Sequence, residues 1–232
     1  MRGEQLPAAF VGFGGVFGDR RYALVSSAAP ADFPYFTSRI KEPMLLHQAL
    51  YRFPEKMARP SGSLSGAEDA LEVETPAGER LAVEDGRLIE LLREGVAERH
   101  QVSLIQSEVA IVDSRPISLF SLQTVRKLSA EVGVALDKRR FRANLYIDLA
   151  VGPGFAEDGW VGRRLSIGRE VVVEVLKRNK RCKMITLDPD TAEANPEVMK
   201  RVAREHESCA GIYARALVEG MVAAGDEVRL MD

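Results

Sequence analysis

The chain has 232 residues, 46% apolar and 28% charged, enough for one large or two small domains on a core that needs no staples. A formal net charge of −2 argues against a dedicated nucleic-acid binder, whose domain would be strongly basic. No apolar run approaches the roughly 18 residues of a membrane helix, and "MRGEQLPAAF" lacks the charged start and long apolar stretch of a signal peptide.

In chain order, "FVGFGGVFGDRRYALVSS" predicts a strand, a glycine-rich turn and a second strand. The Pro, Gly and Ser content of "FPEKMARPSGSLSGAED" predicts an exposed loop. In "ALEVETPAGERLAV", Leu71 and Val73 face Leu81 and Val83 across the turn "PAGE", a hairpin pattern. A helix is expected over "EDGRLIELLREGVAERH", with Leu88, Leu91, Leu92 and Val96 on one face. Short strands follow at "VSLIQ" and "PISLF". A second helix is expected at "SLQTVRKLSAEVG", where Leu122, Val125, Leu128 and Val132 share a face and Gly133 offers the stop.

The pieces "NLYIDLA", "RLSIG", "EVVVEVLK" and "CKMITL" read as strands. "PEVMKRVAREHE" reads as a helix with Pro196 in its first turn. "GIYARALV" and "EVRLMD" read as closing strands joined by the glycine turn "EGMVAAGD". Without regular βαβ alternation a doubly wound fold is disfavoured. The expectation is a mainly β, α+β protein built on a barrel decorated by helices.

Two cysteines and no export signal point to a reducing, cytoplasmic setting without a structural disulfide. His47, His100 and His206 are far apart and are read as surface or capping residues, not ligands. From Lys138 to Lys183 there are twelve Lys or Arg against five Asp or Glu, a local excess hidden in the whole-chain charge. The bland reading is a solvated face. The sharper one is an anion site, since a guanidinium fork matches phosphate or carboxylate. In "DKRRFRANL", an extended backbone would turn Arg140 and Arg142 to one side and Phe141 to the other.

Cys182 lies inside "KRNKRCKMITLDPDT". Cationic neighbours favour the thiolate, the form that binds soft metals. The competing reading is a buried thiol opening an apolar strand. On such a strand Arg181 and Lys183 would point away from Cys182, leaving a loop "KRNK" with Lys180 to curl around the sulfur. Cys209 is read as a core residue. A redox couple of the two cysteines is disfavoured because nothing in the sequence brings them together.

The elements "PISLFSLQTV", "RRFRANLYID", "FAEDGWVGRRLSIG", "RCKMITLDPDT", "GIYARAL" and "GDEVRL", in this order, resemble the MOSC domain, named from the C-terminal region of molybdenum cofactor sulfurases. "GVFGDRRYALV" and "YFTSRIKEPMLL" resemble the β-rich domain that commonly precedes it. The resemblance implies a first domain over residues 1–100 and a MOSC domain over 101–232. It further implies a likeness to amidoxime-reducing components, which reduce N-hydroxylated compounds such as hydroxylaminopurines or amidoximes.

By the same resemblance Cys182 would ligate molybdenum held by a pterin dithiolene. Arg20 and Arg142 would contact the pterin or its phosphate, and Asn144 would support the same wall. Lys180 and Arg181 would wrap the cofactor, and Asp113 and Ser114 would add polar contacts. Asn179 stands where many relatives carry a further cysteine. By the resemblance a "YPVKS" strand, whose Lys and Ser bind the phosphate, would stand immediately before "MRGEQL"; either the start is assigned too far downstream or this form has lost that strand and part of the anion site. Electrons would come from a redox partner, since no flavin, haem or iron–sulfur motif is present, and an acidic partner would suit the basic surface. The alternative is a sulfur- or cofactor-carrying module with no turnover of its own. No lysine has the surroundings of a Schiff-base site, so pyridoxal phosphate is not expected; nor is a nucleic-acid or membrane partner.

Overall fold

In the computed structural model, which describes residues 1–55, 70–107 and 109–231, the protein is α+β with a curled, half-barrel sheet of six strands. The chain divides between two units. The first holds Met1–Gln5, Gly18–Ile111 and Pro189–Ala192; the second holds Leu6–Phe17, Val112–Asp188 and Glu193–Asp232. Strands β1 (Ala8–Gly12) and β2 (Gly15–Val16) belong to the second unit. The first unit contains β3 (Tyr22–Ser26), β4 (Gln48–Tyr51), β5 (Leu71–Glu74), β6 (Arg80–Ala82), helix α1 (Gly86–Arg93) and β7 (Val102–Gln106). The second continues with β8 (Ile117–Ser121), α2 (Leu122–Val132), β9 (Leu145–Ile147), β10 (Arg164–Ile167) and β11 (Val171–Lys180). It closes with α3 (Pro196–Glu205), β12 (Cys209–Val218), β13 (Gly220–Ala223) and β14 (Val228–Met231).

In the first unit β4, β5 and β6 form one antiparallel sheet. The predicted β5–β6 hairpin closes where the Gly78 amide donates to the Thr75 carbonyl at 2.9 Å, with Gly78 at φ +82°, a conformation that favours glycine. Val73 and Leu81 then face Leu88 and Leu92 of α1, and Leu24, Phe36 and Met44 complete this core. Helix α1 starts where the Asp85 side chain accepts from the Arg87 amide, a standard N-cap. It is shorter than the apolar spacing predicts: it stops at Arg93, and Val96 packs on the core from beyond its end. The loop expected at "FPEKMARPSGSLSGAED" lies, from residue 56 onward, outside the described residues.

The opening strand–turn–strand reading needs one correction. The turn Phe13–Gly14 closes β1 on the short β2, whereas "RYALVSS" forms β3 and pairs with β7 in another sheet. The intervening backbone turns away through left-handed Gly18 and Arg20.

The second unit carries the six-stranded sheet, ordered β14-β10-β11-β12-β8-β9, with only the β8–β9 pair parallel. Alternation along β11 buries Val171, Val173 and Val175 against Ile117, Leu165 and Ile212. Each such side chain contributes about 1.5–3 kcal/mol by leaving water. A separate cluster holds Phe120, Leu128, Phe141, Ile185, Val198 and Val202, joining α2 and α3 to the sheet. Gly211 permits the closest approach: at φ +75°, a Cβ there would sit 2.6 Å from Phe120 Cδ2 and 2.8 Å from the Leu119 carbonyl oxygen.

Helix α2 stops as predicted at Gly133, at φ 80°, and starts at a Ser121 cap, whose side chain accepts from the Thr124 amide. Helix α3 opens with Pro196 behind the Asn195 cap. Only the second half of the expected turn "EGMVAAGD" is a turn, closed by the Asp226 amide on the Ala223 carbonyl at 3.1 Å; Gly220–Ala223 is strand β13, which pairs with β1. Two histidines also differ from expectation. His47 and His100 are buried, at 7% and 9% exposure, and His100 Nδ1 lies 2.7 Å from Ser26 Oγ. His206 does cap α3. Among the described residues no helix is long and apolar enough to cross a membrane.

Candidate cysteine site

The segment "KRNK" is the end of β11, not a loop, and Lys180 faces Cys209 across the β11–β12 ladder. Pairing continues one step further, with the Arg181 amide donating to the Ser208 carbonyl at 2.7 Å. Cys182 is extended, at φ −131° and ψ −176°, and caps a 3-10 turn over Lys183–Thr186. The strand expected at "CKMITL" is therefore replaced by this turn. Ile185, Thr186 and Leu187 are buried, and Thr186 Oγ1 donates back to the Lys183 carbonyl at 2.7 Å. Cys182 is half-buried, and neither cysteine is in a disulfide.

Two arginines brace this turn. Arg140 donates to the Thr186 carbonyl and to Asp188 Oδ2, each at 2.7 Å. In the opposite direction Arg181 donates to the Phe141 carbonyl. Its guanidinium lies 5.7 Å from the Phe141 ring centre and 6.0 Å from that of Phe120, and these two rings stack 4.2 Å apart. Lys138–Phe141 is itself a 3-10 turn, capped by Asp137 and closed by Arg142 at φ 51°. This corrects the extended alternation: Arg140 is buried and engaged with the cysteine-bearing segment, while Arg142 is exposed. Burial pushes the Arg181 pKa down, while Tyr213, Cys182 and Tyr146 push it back up. Burial raises the pKa of Tyr146, whose hydroxyl donates to the Lys138 carbonyl at 2.9 Å and accepts from the Ala143 amide at 3.1 Å.

The remaining sequence-predicted residues are placed as follows. Lys180 is exposed, directly before Arg181 and Cys182. Asn144 Oδ1 accepts from the Ser118 amide at 3.0 Å and from Ser118 Oγ at 2.9 Å, fixing the entry to β8. Asp113, exposed, and Ser114, half-buried, lie on the connection leading into β8. Arg20 belongs to the first unit, where its Nε donates to Asp19 Oδ2 at 2.7 Å. The structure thus joins Arg181, Cys182 and Tyr146 in one neighbourhood, and carries Arg20 on a different unit. Tyr146 and Tyr213 were missed by sequence reasoning; no local pattern marks them, because Arg181 is brought to them by sheet pairing. Among the described residues no group of three or more His, Cys, Asp or Glu could hold a metal ion. The donor on offer is one thiol in basic surroundings, which suits a soft metal that brings its other ligands with it.

An α+β protein that presents a half-buried cysteine at the end of a long strand, inside an arginine-braced turn, is the class that fold and site define. The chain belongs to the MOSC domain family, which matches residues 106–229 and is associated with molybdenum-cofactor-binding proteins. It is similar to a protein named molybdenum cofactor sulfurase from Drosophila mojavensis, 30% identical over 142 residues; the match covers 61% of this chain and 17% of that protein. Among solved structures, the YuaD protein from Bacillus subtilis aligns over 98% of this chain and 86% of its own, at 15% identity and TM-score 0.47. YiiM from Geobacillus stearothermophilus aligns over 56% and 67%, at 17% identity and TM-score 0.41.

Proposed function

We propose that the protein binds the molybdenum cofactor through Cys182 and acts in the cytoplasm as an oxidoreductase that reduces N-hydroxylated compounds with electrons from a protein donor. The observation that carries this reading is the half-buried Cys182 thiol at the strand end, in a chain whose family is associated with that cofactor. A soft thiolate is the ligand such a metal takes. Arg142 and Lys180, both exposed, would meet the anionic part of the group. Arg181 would hold the backbone next to the ligand, and Asn144 would keep the adjoining wall in place. Asp113 and Ser114 would offer polar contacts to the pterin. When bound, the group would supply two-electron redox chemistry, and the residues here would bind and orient it.

The test is metal and pterin analysis of the protein purified from a host able to make the cofactor. Molybdenum and pterin in near-equal amounts are expected, with loss of the metal in Cys182→Ser. Metal-free protein from such a host, or undiminished metal in the serine variant, would overturn the reading. A second reading rests on the name of the Drosophila relative, of which this chain matches only a small share: Cys182 would carry sulfur as a persulfide. Cyanide-labile sulfur lost in Cys182→Ser would favour it, and its absence would remove it.

A further inference from the structure

The β11–β12 register puts the two cysteines beside each other. Lys180 is the partner of Cys209, and Cys182 follows two residues later. Side chains alternate along extended backbone: Lys180 is exposed, Arg181 turns toward the Phe120 and Phe141 rings, and Cys182 is still extended. Cys182 therefore shares the Lys180 face, and Cys209, opposite Lys180, shares it too. Both cysteines are half-buried residues. Such diagonal neighbours stand about 7–8 Å apart at Cα, just beyond the roughly 4.4–6.8 Å that a disulfide spans. Bonding the two sulfurs therefore takes a local backbone movement. The movement falls at the end of the ladder, where Cys182 is the last extended residue before its turn and Cys209 follows Glu207 and Ser208, consecutive left-handed residues at φ 54° and 62°; it works against the Cys209 amide's hydrogen bond to the His206 carbonyl at 2.8 Å.

We infer that Cys182 and Cys209 form a peroxide-responsive dithiol, closing to an intramolecular disulfide when a hydroperoxide reaches the site. The Cys182 sulfur attacks one peroxide oxygen and the O–O bond breaks. This leaves a sulfenic acid on Cys182 and releases water or an alcohol. The Cys209 sulfur then attacks the Cys182 sulfur. The S–O bond breaks, the S–S bond forms, and the hydroxyl leaves with the Cys209 proton as water. The two thiols together lose two electrons and the peroxide gains them. Cys209 is thus a resolving thiol, which spares Cys182 the irreversible sulfinic and sulfonic states. The pairing concerns the cofactor-free chain, because a Cys182 sulfur bound to a metal is not free to attack a peroxide.

The test uses the purified full chain without cofactor, treated with hydrogen peroxide, alkylated with N-ethylmaleimide, and followed by intact mass and by peptide mapping after cleavage at glutamate. Wild type should lose the mass of two hydrogens, take up maleimide at neither cysteine, and yield one linked peptide pair. A dithiol reductant should restore both thiols. Cys209→Ser should instead add oxygen atoms at Cys182, and Cys182→Ser should leave Cys209 fully alkylated. Oxygen addition at Cys182 in wild type with Cys209 still alkylated would overturn the inference, as would links found only between separate chains.

Discussion

Arg140 and Arg142 stand two residues apart in one basic run, and their side chains do unrelated work. The first is buried and ends on the Thr186 carbonyl and Asp188; the second is exposed. Hydrogen bonds to a charged group contribute about 1.5–3 kcal/mol when a partner would otherwise be stranded. Arg140→Met should therefore lower unfolding free energy by about 2 kcal/mol in chemical denaturation, whereas Arg142→Met should change it by less than about 0.5 kcal/mol, as exposed positions usually do. Loosening the turn should also speed alkylation of Cys182 in Arg140→Met; equal thiol reactivity in both variants would show that the brace does not hold the cysteine. The sequence displays the cations but not this division of labour. Arg140 meets Thr186 46 residues away, and such a contact leaves no local pattern.

At the level of elements, what was legible is what local chemistry decides. Helix α2 runs between a serine cap and a glycine stop, and its apolar spacing puts Val125 and Leu128 in the core. The misread element is instructive for the same reason. "CKMITL" has the β-branched residues of a strand, yet Arg140 takes the Thr186 carbonyl, and the chain folds into a 3-10 turn instead. Equally silent in the sequence is Glu157, 1% exposed, whose carboxylate accepts from the Ser121 amide and hydroxyl and from Thr124 Oγ1 at 2.8–3.1 Å. A carboxylate here also faces the positive end of the helix. Ser121→Ala removes both the α2 cap and one donor to this buried acid. It should cost about 1–2 kcal/mol in chemical denaturation, and a cost near zero would show that the cap is not what starts the helix.

Over the whole molecule, stability should depend on pH through His47. Burial holds its pKa below the usual histidine value, and the charge of Lys41 adds to the effect. The sign follows from linkage: protons bind the unfolded chain more readily, so the stabilisation is full above about pH 6.5 and is lost as pH falls through the folded value. Between about pH 7.5 and about pH 5 the melting temperature of wild type should fall further than that of His47→Gln. Parallel curves would mean that another group sets the acid limit.

The segment Pro189–Ala192 belongs to the first unit, while Asp188 and Glu193 on either side of it belong to the second. Arg2 anchors it, donating from Nε to the Pro189 carbonyl at 3.1 Å and approaching Asp190 at 3.6 Å. With six segments alternating between the units, the backbone changes allegiance five times. No single cut can therefore excise either unit, and a gene fragment encoding either half would strand pieces of both.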